Sequence, residues 1–224
     1  LERLENIKKR YSKKEVLKNI CFEASKGQCV GILGGNGRGK STLLAVLAGV
    51  LKANGGRLLV NGTDLIKNFS QRSSTVGYVP QGIPLIEELT AYDNLRLWYE
   101  KPFIKKSLNS GVLAMLGINE FLNVPVHKMS GGMKKRLSIG CVAGRNPQIL
   151  LLDEPGAALD ILCKEKIFNY LADFKLRGGI VVLVTHDISE LPLCDKLYIL
   201  KNGTVKPCFF DGDSHALAEM LQNE

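Results

Sequence analysis

GILGGNGRGKSTLLAVLAG, residues 31–49, decides how the rest of the chain is read. An apolar stretch, QCVGIL (28–33), runs into a glycine-rich turn, and a helical run, STLLAVLAG, leaves it and stops at Gly49. Gly34, Gly35, Asn36, Gly37, Arg38, Gly39, Lys40 and Ser41 fit G-x-x-x-x-G-K-[ST], with Thr42 next, in the strand–loop–helix setting that this motif needs. Glycines let successive backbone N–H groups turn toward phosphate oxygens, and the helix beginning near Gly39 adds its positive dipole end. In such a loop Lys40 reaches the β- and γ-phosphates and the Ser41 hydroxyl ligates Mg²⁺. The Lys-Ser pair has no use in a dinucleotide G-x-G-x-x-G site.

The second half supplies a partner. ILLLDEP (149–155) places Asp153 and Glu154 at the end of an apolar strand, where ligands of open sheets bind. Asp153 there holds Mg²⁺ directly or through water, and Glu154 orients and deprotonates an attacking water. The alternative for either carboxylate alone is a cap on the following helix.

Between and around these motifs the signals alternate. VLKNICFEA (16–24), RLLVNG (57–62, ending in an Asn-Gly turn) and VGYVP (76–80) read as strands. From about 84 to 147 they turn helical: YDNLRLWYE, KSLNSGVLAMLG and SGGMKKRLSIGCVAG. ILCKEKIFNYLADF puts Cys163, Ile167, Leu171 and Phe174 on one helix face; GIVVLVT is a strand, and KLYILKNGTV a hairpin turning at Asn202-Gly203. A final helix, SHALAEMLQ, is expected at 214–222. Strands apolar throughout, such as ILLL and IVVLV, belong to a parallel sheet covered on both faces. The expected fold is therefore α/β, a P-loop core with a mostly parallel sheet (1–83 and 148–224) and an inserted helical region at 84–147.

Bulk properties agree. At 224 residues and 45% hydrophobic the chain can bury a proper core as one large domain or one domain with a subdomain. Thirty Lys+Arg against 22 Asp+Glu leave +8, a balance that suits phosphates, nucleic acid or an anionic membrane surface without choosing among them. The six cysteines show no Cys-x-x-Cys spacing and read as reduced, buried small hydrophobes, not metal ligands. No apolar run approaches the roughly 20 residues that cross a bilayer. The chain opens on Leu1 without a signal-peptide pattern.

A second phosphate-type helix start, Ser130-Gly131-Gly132, lies at the head of SGGMKKRLSIG. With the phosphate loop, Gln81 after a strand, this SGG, Asp153-Glu154 and His186 in that order, the whole chain resembles an ATP-binding cassette (ABC) domain. Gln81 follows Lys40 by 41 residues, Ser130 follows Gln81 by 49, Asp153 follows Ser130 by 23, and His186 follows Asp153 by 33. The resemblance implies an ABC ATPase fold with an N-terminal antiparallel β-subdomain. It also implies two cassettes, alike or different, dimerised head to tail, with ATP between the phosphate loop of one and the SGG of the other. By the same resemblance Tyr11 stacks on adenine, although an ordinary strand-end tyrosine is the alternative. Gln81 senses Mg²⁺ and water, His186 contacts the γ-phosphate, and Asp160 crosses the interface. His127 and His215 are read as solvated or packing residues.

Three positions depart from the family pattern. Arg38 stands where a small residue is usual, and Gly156-Ala157-Ala158 lacks the hydroxyl residue often found after the proline. Met133 replaces the Gln or Glu that would complete a capping box after SGG. Met133 aligns with Leu137 and Cys141 at i, i+4, i+8, so its side chain is expected beneath the helix.

Chromosomal relatives split the cassette with coiled coils, which the 113 residues from Lys40 to Asp153 do not accommodate. Ribosome-associated relatives usually carry two cassettes. The resemblance therefore implies a transporter ATPase at the cytoplasmic, inner face of the cell membrane, acting on a separate membrane-spanning permease, with no nucleic-acid partner. SGGMKKRLSI is similar to the exporter branch. The alternatives are a non-transport ABC ATPase, a non-hydrolysing cassette of an asymmetric pair, or a soluble P-loop phosphotransferase, which has no use for SGG.

Overall fold

The computed structural model describes residues 2–82, 84–213, 217 and 219, so the helix expected at 214–222, with His215, falls outside the described residues except for Leu217 and Glu219. Among the described residues ten strands form one sheet: β1 (Glu2–Tyr11), β2 (Lys14–Ala24), β3 (Cys29–Leu33), β4 (Gly55–Val60), β5 (Thr63–Asp64), β6 (Val76–Val79), β7 (Ile149–Asp153), β8 (Ile180–Val184), β9 (Lys196–Lys201) and β10 (Thr204–Cys208). Their order is β5-β4-β1-β2-β10-β9-β3-β8-β7-β6. The strands β9, β3, β8, β7 and β6 are mutually parallel, and β5, β4, β1 and β2 are antiparallel.

Among the described residues the α-helices are α1 (Lys40–Ala48), α2 (Phe69–Thr75), α3 (Ala91–Arg96), α4 (Lys101–Ser110), α5 (Val112–Met115), α6 (Gly131–Ala143) and α7 (Ile161–Leu176). Of these, α3 to α6 follow one another between β6 and β7, where the helical signals lie. α3 opens on a capping box in which the Thr90 hydroxyl accepts from Asp93 N–H and the Asp93 carboxylate answers at Thr90.

Alternation along the central strands builds two cores. Val30, Ile32, Leu151, Val182 and Val184 face α1 and the antiparallel strands. Cys29, Leu150, Leu152, Val181 and Leu183 face α6 and α7. Every residue of β3, β7 and β8 is buried, as strands covered on both faces require. The predicted α7 face is observed, with Tyr170 added to it. Both Asn-Gly turns have the two left-handed residues of a tight hairpin: Asn61 and Gly62 at φ 48° and 80°, Asn202 and Gly203 at φ 50° and 80°.

The reading of all six cysteines as buried needs correction. Cys29, Cys141 and Cys163 are buried, Cys194 and Cys208 are half-buried, and Cys21 is exposed. On β2 the residues facing the core are Leu17, Ile20, Phe22 and Ala24, so Cys21 projects from the opposite face toward Asn6 and Asn19.

Candidate nucleotide site

The site is assembled where β3, β8, β7 and β6 end. Gly34–Gly39 link β3 to α1, and the left-handed φ of Gly34 (150°), Gly37 (72°) and Gly39 (102°) folds this stretch into a closed loop. A Cβ on Gly34 would stand 2.6 Å from the Leu200 carbonyl oxygen, and one on Gly39 would stand 2.7 Å from Val16. No side chain caps α1, which leaves first-turn N–H groups for an anion. Lys40 is 6% exposed, and its Nζ donates to the carbonyl oxygens of Gly34 (2.7 Å) and Gly35 (3.0 Å). Burial lowers the Lys40 pKa against the opposing pull of Glu154 and Asp153. Arg38 and Asn36 are exposed, Thr42 is half-buried, and Ser41 is exposed on the first turn.

Asp153 ends β7 at 2% exposure, and its Oδ1 has no hydrogen-bond partner. Burial raises its pKa; the adjoining Ser41 hydroxyl opposes the rise, Glu154 adds to it, and Lys135 and Lys40 oppose it. A group whose pKa is raised on folding contributes stability below its unfolded pKa and loses it as pH climbs through the folded value. The Asp153 carboxylate therefore destabilises the ligand-free fold at neutral pH. Asp153→Asn is expected to raise the urea midpoint at pH 7. In urea titrations that gain should shrink as pH is brought down toward 4.

Glu154 follows in the left-handed region (φ 49°), an unusual conformation for a non-glycine residue. Its Oε2 accepts from Gln81 Nε2 at 2.8 Å, and its Oε1 lies 3.2 Å from His186 Nε2. Three residues far apart in sequence thus converge, one from each of the strand ends of β6, β7 and β8. Burial, then the Lys40 charge, lowers the His186 pKa, while Glu154 and Asp153 oppose the shift; the ring is neutral at pH 7. Glu154 does not cap the next helix, because Asp160 does: its Oδ1 accepts from Cys163 N–H at 2.8 Å, and this bond holds the Asp160 carboxyl below its usual range.

The remaining named residues lie outside this cluster. Ser130 caps α6, accepting from Met133 N–H at 3.2 Å. Ser130 and Gly131 are exposed, with open space where a Gly131 Cβ would be, while Gly132 is buried against Cys163 of α7. The Met133 side chain packs on the helical core with Leu137 and Cys141, as its spacing predicted. Tyr11 is 44% exposed at the end of β1 with Lys9 Nζ 5.0 Å from its ring centroid. The His127 ring meets the Glu87 carbonyl at 3.0 Å.

The unusual Gly156-Ala157-Ala158 turn has a physical basis. Glu190, fully buried just past His186, points a carboxylate oxygen into the space that a Cβ at 156 would take. Ala158 is held at φ 57°. A methyl-bearing residue is strained there, and glycine would relieve it at some cost in unfolded-state freedom. Ala158→Gly is expected to stabilise the fold by roughly 0.5–1 kcal/mol, read as a higher urea midpoint at unchanged slope.

Sequence reasoning missed two buried ionic groups beside the site, Lys135 and Glu190. Lys135 sits in a Lys-Lys-Arg run that reads as solvated surface. Only the position of that run one turn into α6, beneath the core-facing Leu137 and Cys141, could have marked it.

A strand–phosphate-loop–helix unit, an acidic strand end facing it, and a glutamine and a histidine closing on one glutamate define a P-loop nucleotide-binding cassette. The family model described as "ABC transporter" matches residues 17–157. The linearmycin resistance ATP-binding protein LnrL of Bacillus subtilis is 33% identical over 89% of this chain and 66% of its own length. The energy-coupling factor transporter ATP-binding protein EcfA of Methanocaldococcus jannaschii is 36% identical over 88% of this chain and 76% of its own. Among solved structures, the dimeric post-hydrolysis state of the ATP-binding cassette MJ0796, bound to ADP and Pi, superposes with a TM-score of 0.82 at 28% identity, covering 95% of this chain and all of that one. The chain belongs to the ABC transporter family, as one of its ATP-binding cassettes.

Proposed function

We propose that the chain is the ATP-hydrolysing subunit of a membrane transporter, working as a pair of cassettes that drive a separate membrane-spanning permease. The convergence of Gln81 and His186 on the two oxygens of Glu154, beside the phosphate loop, carries this reading.

Residues Gly34 to Thr42 cradle the ATP phosphates, with Lys40 as the cation on the β- and γ-phosphates. The buried, unpartnered Asp153 Oδ1 beside the Ser41 hydroxyl is an oxygen-only donor set that fits Mg²⁺, with Gln81 within the same cluster. When bound, Mg²⁺ neutralises charge on the phosphate oxygens. Glu154 takes the proton from the attacking water, and Gln81 and His186 fix the direction in which its oxygens point. Neutral His186 has a single ring N–H, engaged here by Glu154 Oε1, so donation to the γ-phosphate requires that N–H to turn away from Glu154 or the second nitrogen to be protonated. Tyr11 offers an exposed ring for adenine.

The exposed Ser130, Gly131 and α6 N-terminus complete the neighbour's site, while buried Gly132 seats the helix on α7; Asp160 faces that neighbour. The helical segment 84–147 forms a subdomain that passes the state of Gln81 to the permease. Among the described residues no helix is long and apolar enough to cross a membrane. As such a subunit the chain works at the cytoplasmic face, bound to its permease. SGGMKKRLSI favours export. Purifying the tagged chain from membranes and identifying what comes with it tests the transporter reading. An integral membrane protein is expected; a partner without membrane spans, or nucleic acid alone, would overturn it.

A further inference from the structure

We propose that Lys135 is a positioning residue that ties the helix carrying Ser130-Gly131-Gly132 to the Gln81–Glu154 pair of the same chain, so that engagement of the neighbour's nucleotide is felt at this chain's own catalytic glutamate. The inference rests on the ATPase reading above.

Lys135 lies one turn into α6 and is 5% exposed. Its neighbours are paired conventionally, Lys134 with Glu87 and Arg136 with Glu120. Lys135 instead aims its ammonium at two backbone carbonyls, Pro80 O and Asp153 O, each at 3.4 Å. Those carbonyls belong to the peptide units that lead into Gln81 and Glu154, whose side chains are hydrogen-bonded at 2.8 Å. One Nζ therefore spans both strand ends that present the pair.

A buried cation with two long carbonyl contacts is a costly way to fill space, and an apolar side chain of similar length would pack there more favourably. Burial pulls the Lys135 pKa down, and the charges of Asp153, Glu154 and Glu190 pull it back. The contacts lie near the outer limit of hydrogen bonding. A small advance of α6 toward β6 and β7 would shorten both together, and a retreat would release both. Because α6 starts at the SGG that meets the neighbour's ATP, its position reports on that ATP.

The test is steady-state ATPase activity of the purified chain, assembled with its copurifying membrane protein. Lys135→Met keeps the stem and removes the charge; kcat is expected to fall about tenfold with KM within twofold of the parent. Lys135→Arg should recover most of the loss. Adding Lys135→Met to Gln81→Ala should cost little beyond Gln81→Ala alone, because both act through Glu154. A kcat within twofold of the parent, a loss confined to KM, no recovery by arginine, or losses that multiply would each overturn the proposal. If Lys135→Met fails to fold, Lys135→Gln, which keeps one donor, carries the same kcat-against-KM comparison. Lys40→Ala in the same assay separates the two readings. Parental activity in Lys40→Ala defeats the ATPase assignment, whereas an inactive Lys40→Ala beside a fully active Lys135→Met defeats only the coupling.

Discussion

Glu154→Gln will bind ATP but turn it over at least about a hundredfold more slowly than the parent chain, the scale of a lost general base. The amide keeps the shape of the carboxylate and can still accept at one oxygen from Gln81 Nε2, now at 2.8 Å from Oε2, or from His186 Nε2, at 3.2 Å from Oε1. It cannot take a proton from water. The phosphate loop and Asp153 are untouched, so nucleotide affinity should stay within a few-fold. Phosphate release measured beside equilibrium binding of a fluorescent ATP checks both halves. Retained turnover would remove Glu154 from the chemistry.

Lys40→Ala should fail at an earlier stage. Its ammonium is the buried cation that closes the phosphate loop on itself, through the carbonyls of Gly34 and Gly35. A phosphate-bound cation is among the stronger charge-assisted contacts, and loss of such a donor typically costs about a hundredfold or more in turnover. Nucleotide affinity should fall as well, at least roughly tenfold, which distinguishes this variant from Glu154→Gln. The fold should survive, because Lys40 gives up solvation to occupy its place and its pKa is already lowered by burial. Calorimetric titration with ATP and far-UV circular dichroism would show weak binding by a folded chain.

The phosphate loop, the acidic strand end and the two-faced sheet were legible in the sequence because each is written in contiguous residues. Gly34–Ser41 and ILLLD need no distant partner to be recognised. β1 was not legible. Its pairing with β2 slips between Leu4 and Ile7 and again after Ile7, with Asn6 at φ 53°, so its buried residues Leu4 and Ile7 lose the period of two that marks a strand. α2 escaped for a related reason: FSQRSST buries only Arg72 and depends on Asn68, which caps it by accepting from Gln71 N–H at 3.1 Å.

At the site, resemblance to a family named Gln81 and His186, but nothing local to either residue says that both meet Glu154. That meeting depends on the strand order β8-β7-β6, which the sheet supplies. The burial of Lys135, in a charged run, and of Glu190 was not legible for the opposite reason, since charged residues ordinarily stay in water. Cys21 was misjudged although the alternation of Ile20 and Phe22 around it already pointed it away from the core.

Two copies of this cassette, or this chain and a close relative, should close around ATP with Ser130-Gly131-Gly132 completing the opposite site. The most direct measurement is the mass of Glu154→Gln in solution by light scattering, without nucleotide and with ATP. Like cassettes should pass from a monomer to a dimer holding two ATP, and lose that dimer when Ser130 is also changed to Arg. If a relative supplies the second cassette, the same shift should appear once that relative is added. A variant that binds ATP tightly yet stays strictly monomeric, with every relative present, would contradict this pairing.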